Sequence, residues 1–318
     1  MGAIAKAAPA GSAERTFSAA AWAVLGWNFL VVLWGAFVRA SGSGAGCGGH
    51  WPLCNGAVVP QSPQAATVIE YTHRVTSGVA LVAVFALAYA ARRVFPKGHA
   101  ARRAAAFGAV FIVTEALLGA GLVLFDYVAH NASAGRAAYL SLHLANTQLL
   151  LASLAIAAWC AARGQASLRR PAALAISTLA VVLSVSITGA IAALGDTLFP
   201  AASLATGVRQ DFSATANFLV RLRVIHPALA VAAAAFVLYA ALGSRRSGAS
   251  QRAVLWVIVL VFAQVCAGAV NIALLAPVWM QILHLLMADL LWVALLILVL
   301  ETGGNNTLEP EVLRSRVA

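Results

Sequence analysis

Long apolar runs alternate with short polar, Gly- and Pro-bearing connections along the whole chain. The runs lie at residues 17–38, 68–91, 104–125, 138–161, 172–194, 218–242, 253–273 and 278–300. Each is close to the roughly 20 residues that carry an α-helix across a bilayer. The first run is longer than the roughly 7–15-residue apolar core of a secretory signal. No small-residue cleavage site follows it closely, so it reads as a span. The pattern predicts an all-α integral membrane protein with eight transmembrane helices.

Composition narrows the class further. Of 318 residues, 62% are hydrophobic and 10% charged, against about 25% charged in soluble domains. That excludes an ordinary soluble enzyme, a disordered chain and a nucleic-acid binder. The formal net charge of +11 follows the bias of Lys and Arg toward cytoplasmic loops. Fifteen of the 21 basic residues fall in one set of alternate segments. They are Lys6 and Arg15; Arg92, Arg93, Lys97, Arg102 and Arg103; Arg163, Arg169 and Arg170; Arg245, Arg246 and Arg252; Arg314 and Arg316. This predicts a bacterial inner-membrane protein with both termini cytoplasmic, and with the long loops 39–67 and 195–217 outside.

The first of those loops reads Cys47-Gly-Gly-His-Trp-Pro-Leu-Cys54. The outer side of a bacterial membrane is oxidising, and a short segment with Gly and Pro can close a small ring, so a disulfide is expected. Two free thiols, or a zinc site with His50, are the weaker alternatives. Cys160 and Cys266 fall within spans and read as small apolar residues.

Spans 1–4 and 5–8 read as two copies of one unit. His73 pairs with His226, Glu115 with Gln264 and His143 with His284, each offset by roughly 150 residues. Both copies begin with a span leaving the cytoplasm, so the expected architecture is two pseudo-symmetric four-helix bundles side by side. The domain reading is a cytoplasmic tail at 1–16, an N-terminal bundle at 17–165, a C-terminal bundle at 166–301 and a cytoplasmic tail at 302–318.

Of seven histidines, His50, His99 and His130 lie in loops, whereas His73, His143, His226 and His284 lie within spans 2, 4, 6 and 8 near their outer ends. A lone intramembrane His is most simply an interhelical hydrogen-bonding residue. Four at equivalent depth, two per copy, match neutral imidazoles clamping a flat porphyrin. The pattern predicts one haem site in each half. Arg39, Arg74, Arg221 and Arg223 lie near the same ends and are candidate partners for haem propionates, with interfacial snorkelling the alternative.

The copies differ at one place. Glu70-Tyr-Thr-His73 in span 2 corresponds to Arg223-Val-Ile-His226 in span 6. Residues three apart share a helix face, which sets Glu70 beside the haem of His73, where a carboxylate can move protons. The first half reads as reactive and the second as an electron-transfer site. A single Glu-x-x-His motif is too few for a diiron centre. Glu115 reads as a hydrogen-bonding residue, Asp289 as a helix-packing one. The alternative function is a dihaem b-type electron-transfer subunit without chemistry of its own. A transporter ranks lower, because its expected broken helix at the membrane midplane is not apparent.

These motifs resemble the haem A synthase family, bacterial type. The resemblance rests on Gly-Ala-Phe-Val-Arg39-Ala-Ser-Gly-Ser-Gly, the Cys47–Cys54 segment, Ile-Glu70-Tyr-Thr-His73-Arg74, and His143, His226 and His284, and covers nearly the full chain. It implies an oxidoreductase that oxidises a ring methyl of haem O to the formyl group of haem A by successive hydroxylations, for the cofactor of cytochrome oxidase. It implies that His73 and His143 flank the substrate haem, that His226 and His284 ligate the iron of a bound haem b, and that Glu70 is the acidic residue beside the substrate. Haem O synthase and cytochrome oxidase assembly factors become the expected partners, with membrane lipid around the chain. The electron donor is unidentified, a homo-oligomer is an open alternative, and no nucleic acid is expected. Two departures stand out. Loop 195–217 lacks the second cysteine pair of many relatives, and Glu115 stands where Gln is expected.

Overall fold

Each apolar run forms a helix in the computed structural model, which describes residues 11–164, 168 and 171–305. The helices are α1 (Ser12–Ala40), α2 (Ala65–Val94), α3 (Ala100–Leu124), α4 (Ala134–Ala162), α5 (Ala173–Leu198), α6 (Leu204–Asp211), α7 (Phe218–Arg223), α8 (Ile225–Ser244), α9 (Gln251–Ala273) and α10 (Val278–Asn305). Eight segments are long and apolar enough to cross a membrane, α7 and α8 together making the sixth. The protein is all-helical and multi-pass. Lys6, Arg169, Arg170, Arg314 and Arg316 lie outside the described residues, as do most of the two predicted tails.

Most helices overrun their predicted ends by a few residues. Apolar length marks the hydrocarbon core, whereas a helix ends where its orphan N–H groups find acceptors. Ser133 Oγ accepts from the Arg136 N–H at 3.2 Å, Ser250 Oγ from Ala253 at 3.2 Å, Asn217 Oδ1 from Leu219 at 2.9 Å and His99 Nδ1 from Ala101 at 3.1 Å.

Helix α4 is the axis of the molecule. Of its apolar window, 78% is buried, against 11–39% for the other seven spans. Its inner face carries Ala152, Ala155, Ala157, Ala158 and Ala161, small side chains that let neighbouring helices approach closely. It packs against α1 and α3 on one side and α5 and α10 on the other. Two polar links tie α4 to α10: Gln148 Nε2 donates to Asp289 Oδ1 at 2.8 Å, and Trp292 Nε1 to the Gln148 carbonyl at 2.8 Å. Asp289 thus has the packing role read for it.

The sixth span is broken at Val224, contrary to the unbroken helix expected there. Pro227 is the physical reason: it has no N–H for the Arg223 carbonyl four residues earlier, and its ring crowds that carbonyl. The break lies near the start of the span, not at its middle. Loop 195–217 is likewise more structured than expected, holding α6.

Candidate functional site

The four intramembrane histidines occupy corresponding places on their helices. His73, His143 and His284 fall within the first turns of α2, α4 and α10, and His226 immediately follows the break between α7 and α8. All four line one continuous cavity of about 1080 Å³, at the top of the roughly 300–1,000 Å³ range of small-molecule sites. Where the sequence reading separates two sites, the structure joins them by common space.

Each imidazole lies against a glycine of a neighbouring span. A Cβ built on Gly35 of α1 would stand 2.9 Å from His73 Cε1, and one on Gly189 of α5 would stand 2.9 Å from His226 Cε1. One on Gly268 of α9 would lie 3.1 Å from His284 Cε1, and one on Gly119 of α3 would lie 3.6 Å from His143 Nε2. Any larger residue at the first three positions would push the ring out of place. The sequence holds this signal as glycines repeating with the histidines, but spacing alone does not say that they touch.

The second pair is close. The His226 and His284 ring centroids lie 6.4 Å apart at 82°. His226 Nδ1 lies 3.1 Å from Thr188 Oγ1, and Gln264 Nε2 lies 3.3 Å from His284 Nε2. Nδ1 of His73, of His143 and of His284 are buried without a hydrogen-bond partner. Such orphan nitrogens call for a ligand or a proton acceptor. A metal–imidazole bond is roughly 2 Å long, so two rings gripping one iron have centres about 6 Å apart. The donor set and spacing of the second pair therefore fit a haem iron.

Around His143 the polar groups form a network. Glu115 of α3 accepts from Asn146 Nδ2 at 2.6 Å and from Thr147 Oγ1, and its Oε1 lies 2.9 Å from His143 Nδ1. That last contact has hydrogen-bond length, but Nδ1 makes no aligned hydrogen bond there. Asn146 is itself fixed, accepting from Thr114 Oγ1 at 2.5 Å and donating to the Phe111 carbonyl at 2.9 Å.

Glu70, 3% exposed, is wholly engaged. Its Oε2 accepts from the Cys47 N–H at 2.8 Å, and its Oε1 from Arg74 Nη2 at 2.6 Å and Nε at 3.1 Å. Arg74 Nη1 donates to the carbonyls of His50 and Leu53, at 2.6 and 2.7 Å. Cys47 and Cys54 form the expected disulfide, which consumes the thiols of the zinc alternative. The ring they close is thus latched through Arg74 and Glu70 to the helix that carries His73. Gly46 permits the close approach, since a Cβ there would stand 2.6 Å from the Thr67 nitrogen.

The other arginines divide. Arg39 reaches from α1 into the second half, giving Nη1 to the Ala193 carbonyl at 2.8 Å and to Thr197 Oγ1 at 2.7 Å, and Nη2 to Gln281 Oε1 at 3.0 Å. Arg223 pairs with Asp211, and with Asp196 at 3.2 Å. Arg39, Arg74 and Arg223 line the cavity; Arg221 is exposed on α7, away from its wall. Sequence reasoning missed a fourth cavity arginine, Arg136, which is buried and donates to the carbonyls of Ala129 and Asn131 at 2.7 and 2.9 Å. Its only sequence signal is a charge two residues before the fourth apolar run.

The chain matches the family of cytochrome oxidase assembly proteins (COX15-CtaA) over residues 18–296. It is 48% identical over 296 residues to a Thermus thermophilus protein named protoheme IX farnesyltransferase, covering 90% of this chain and 49% of that protein. It is 41% identical over 96 residues to a protein named heme A synthase from Alkalihalophilus pseudofirmus, covering 30% of this chain and 32% of that one. A namesake from Halalkalibacterium halodurans is 42% identical over the same length. The chain spans about half the length of the Thermus relatives it matches. From the match over nearly all its spans, the chain belongs to the haem A synthase family of cytochrome oxidase assembly proteins.

Proposed function

We propose that this chain is a haem A synthase, oxidising a ring methyl of haem O to a formyl group. One observation carries the reading: four intramembrane imidazoles, two from each half of the chain, face one large cavity. His73 and His143 flank the substrate porphyrin. His226 and His284 hold a haem b, which when bound supplies reversible one-electron transfer. The packing of α1 to α4 on one another, and of α5 and α7 to α10 on one another, supports two four-helix bundles, one for each pair.

The chain's own groups do the remaining work. Glu70 and Arg74 fasten the disulfide loop over the His73 end of the cavity, which limits water there and fixes the rim of the substrate site. Glu70, one turn before His73 on α2, is the acid to which proton movement at the substrate is assigned, held in place by the Arg74 and Cys47 donors. Arg39, Arg74 and Arg223 are cations facing the cavity for the propionates, each already oriented by protein acceptors. The loop-charge bias sets this end toward the periplasm.

The name of the Thermus relatives favours a second reading, prenyl transfer. Releasing a diphosphate calls for Mg²⁺ held by carboxylates, and among the described residues no group of three or more His, Cys, Asp or Glu side chains is placed to hold a metal ion. About half of each of those proteins lies outside the length matched by this chain. The test is expression in cells that make haem O, then chromatography of the extracted haems. Haem A or hydroxylated haem O supports the synthase. Haem B alone supports the electron-transfer subunit, and new farnesylated haem in cells lacking haem O supports the transferase.

A further inference from the structure

Beneath His143 lies a network of polar side chains from α3 and α4. The proposed reaction assigns Glu115 no task, yet four polar side chains are gathered around it within the membrane.

Glu115 is the acceptor at the centre. Asn146 and Thr147 donate to it, and Thr114 and the Phe111 carbonyl hold Asn146 in turn. Both donors come from the turn of α4 that follows His143, so acid and imidazole are fixed to the same stretch of helix. The remaining neighbour is His143 Nδ1, at 2.9 Å. A carboxylate 2.9 Å from Nδ1 needs only a small turn of the ring to take its N–H, which would keep the proton on that nitrogen and leave Nε2 as the lone-pair nitrogen. It also makes the ring a stronger donor to whatever Nε2 meets, as carboxylate–imidazole–metal arrangements do.

The other half makes the contrast. Gln264, the residue corresponding to Glu115, meets His284 at 3.3 Å through its amide nitrogen, on Nε2 and not Nδ1, and its Oε1 has no hydrogen-bond partner. No oxygen acceptor backs that ring at Nδ1, which is itself without a partner.

We infer that Glu115 is a positioning residue for the first haem site, fixing the tautomer and strengthening the donation of His143 through its Nδ1. The inference rests on His143 facing the substrate iron. The Glu115→Gln variant tests it, since glutamine keeps the size and an oxygen for Asn146 and Thr147. Purified full-length chain carrying haem b is titrated with haem O without an electron donor, and the ferric EPR spectrum of each site is recorded. The expected result is haem O binding weakened roughly 10–100-fold, the usual effect of losing a partner behind a metal ligand, with a shifted first-site spectrum. The second-site spectrum, unchanged, confirms an intact fold. Unaltered haem O affinity together with an unaltered first-site spectrum would overturn the inference and leave the proposed function standing. A wild-type chain that binds no haem O overturns both.

Discussion

In the first half, His73 and His143 sit beside Gly35 and Gly119, with Glu70 and Glu115 close by. In the second, His226 and His284 sit beside Gly189 and Gly268, with Thr188 and Gln264 as their hydrogen-bonding neighbours. The means of placing the rings is shared: a neighbouring span gives up a side chain so that an imidazole can turn toward the cavity. The polar surroundings are not shared. Two carboxylates stand near the first pair of rings, and an amide and a hydroxyl near the second. On the proposed function, that is the difference between a site that moves protons and one that only holds a redox cofactor.

The largest effect that can break this comparison comes from the ligands. His226→Ala or His284→Ala should remove the second-half haem b, read as pigment per chain, and leave haem O binding in the first half. Loss of haem O binding instead would make the halves one site. Next come the glycines. Gly35→Ala, Gly189→Ala and Gly268→Ala each set a methyl against a ring and should cost about 1–3 kcal/mol of stability, with a changed haem spectrum in that half only. Gly119→Ala meets its ring at ordinary contact distance and should be nearly silent. Equal effects at all four would show that the ring contacts do not govern the sites.

Glu70→Ala sharpens the contrast from the other side. It leaves the guanidinium of Arg74 with only backbone carbonyls and frees the Cys47 N–H. Removing one partner of a buried ion pair costs roughly 3–5 kcal/mol. Haem O should accumulate on the purified variant while haem b stays. A normal yield of haem A from it would strip Glu70 of its part in the reaction.

The sequence makes some of this legible and leaves the rest out of sight for physical reasons. Span number follows from apolar length, and the disulfide from two cysteines flanking a short Gly- and Pro-bearing segment. The four histidines stand out because an ionisable group inside a span is costly. Contacts between helices are another matter. That Arg39 reaches Thr197 and Gln281, or that Glu70 binds the Cys47 backbone, depends on rotations about helix axes that periodicity does not define. The break at Val224 was readable from Pro227, but a run of apolar residues hides a missing hydrogen bond.

The smallest predicted effect lies outside the membrane. Burial pulls the pKa of His99 below its ordinary value, partly offset by Glu14. Its neutral Nδ1 caps α3, and its ring stacks on Phe95 at 4.4 Å. With the folded value depressed, this contribution is complete above the unfolded value of roughly 6.5 and is lost as pH falls from there through the folded value. Thermal unfolding between pH 7 and 5 should reveal a cap worth about 0.5–2 kcal/mol. His99→Asn, which caps without titrating, should flatten that part of the profile, and an unchanged slope would remove the assignment.

The central claim is that two pairs of imidazoles each grip a porphyrin of their own within one continuous cavity. The most direct measurement is haem per polypeptide in chain saturated with haem O, for wild type and for the His73→Ala/His143→Ala and His226→Ala/His284→Ala double variants. The account predicts two haems in wild type and one in each double variant, haem b in the first and haem O in the second. A single haem in wild type, abolished by either double variant, would contradict it.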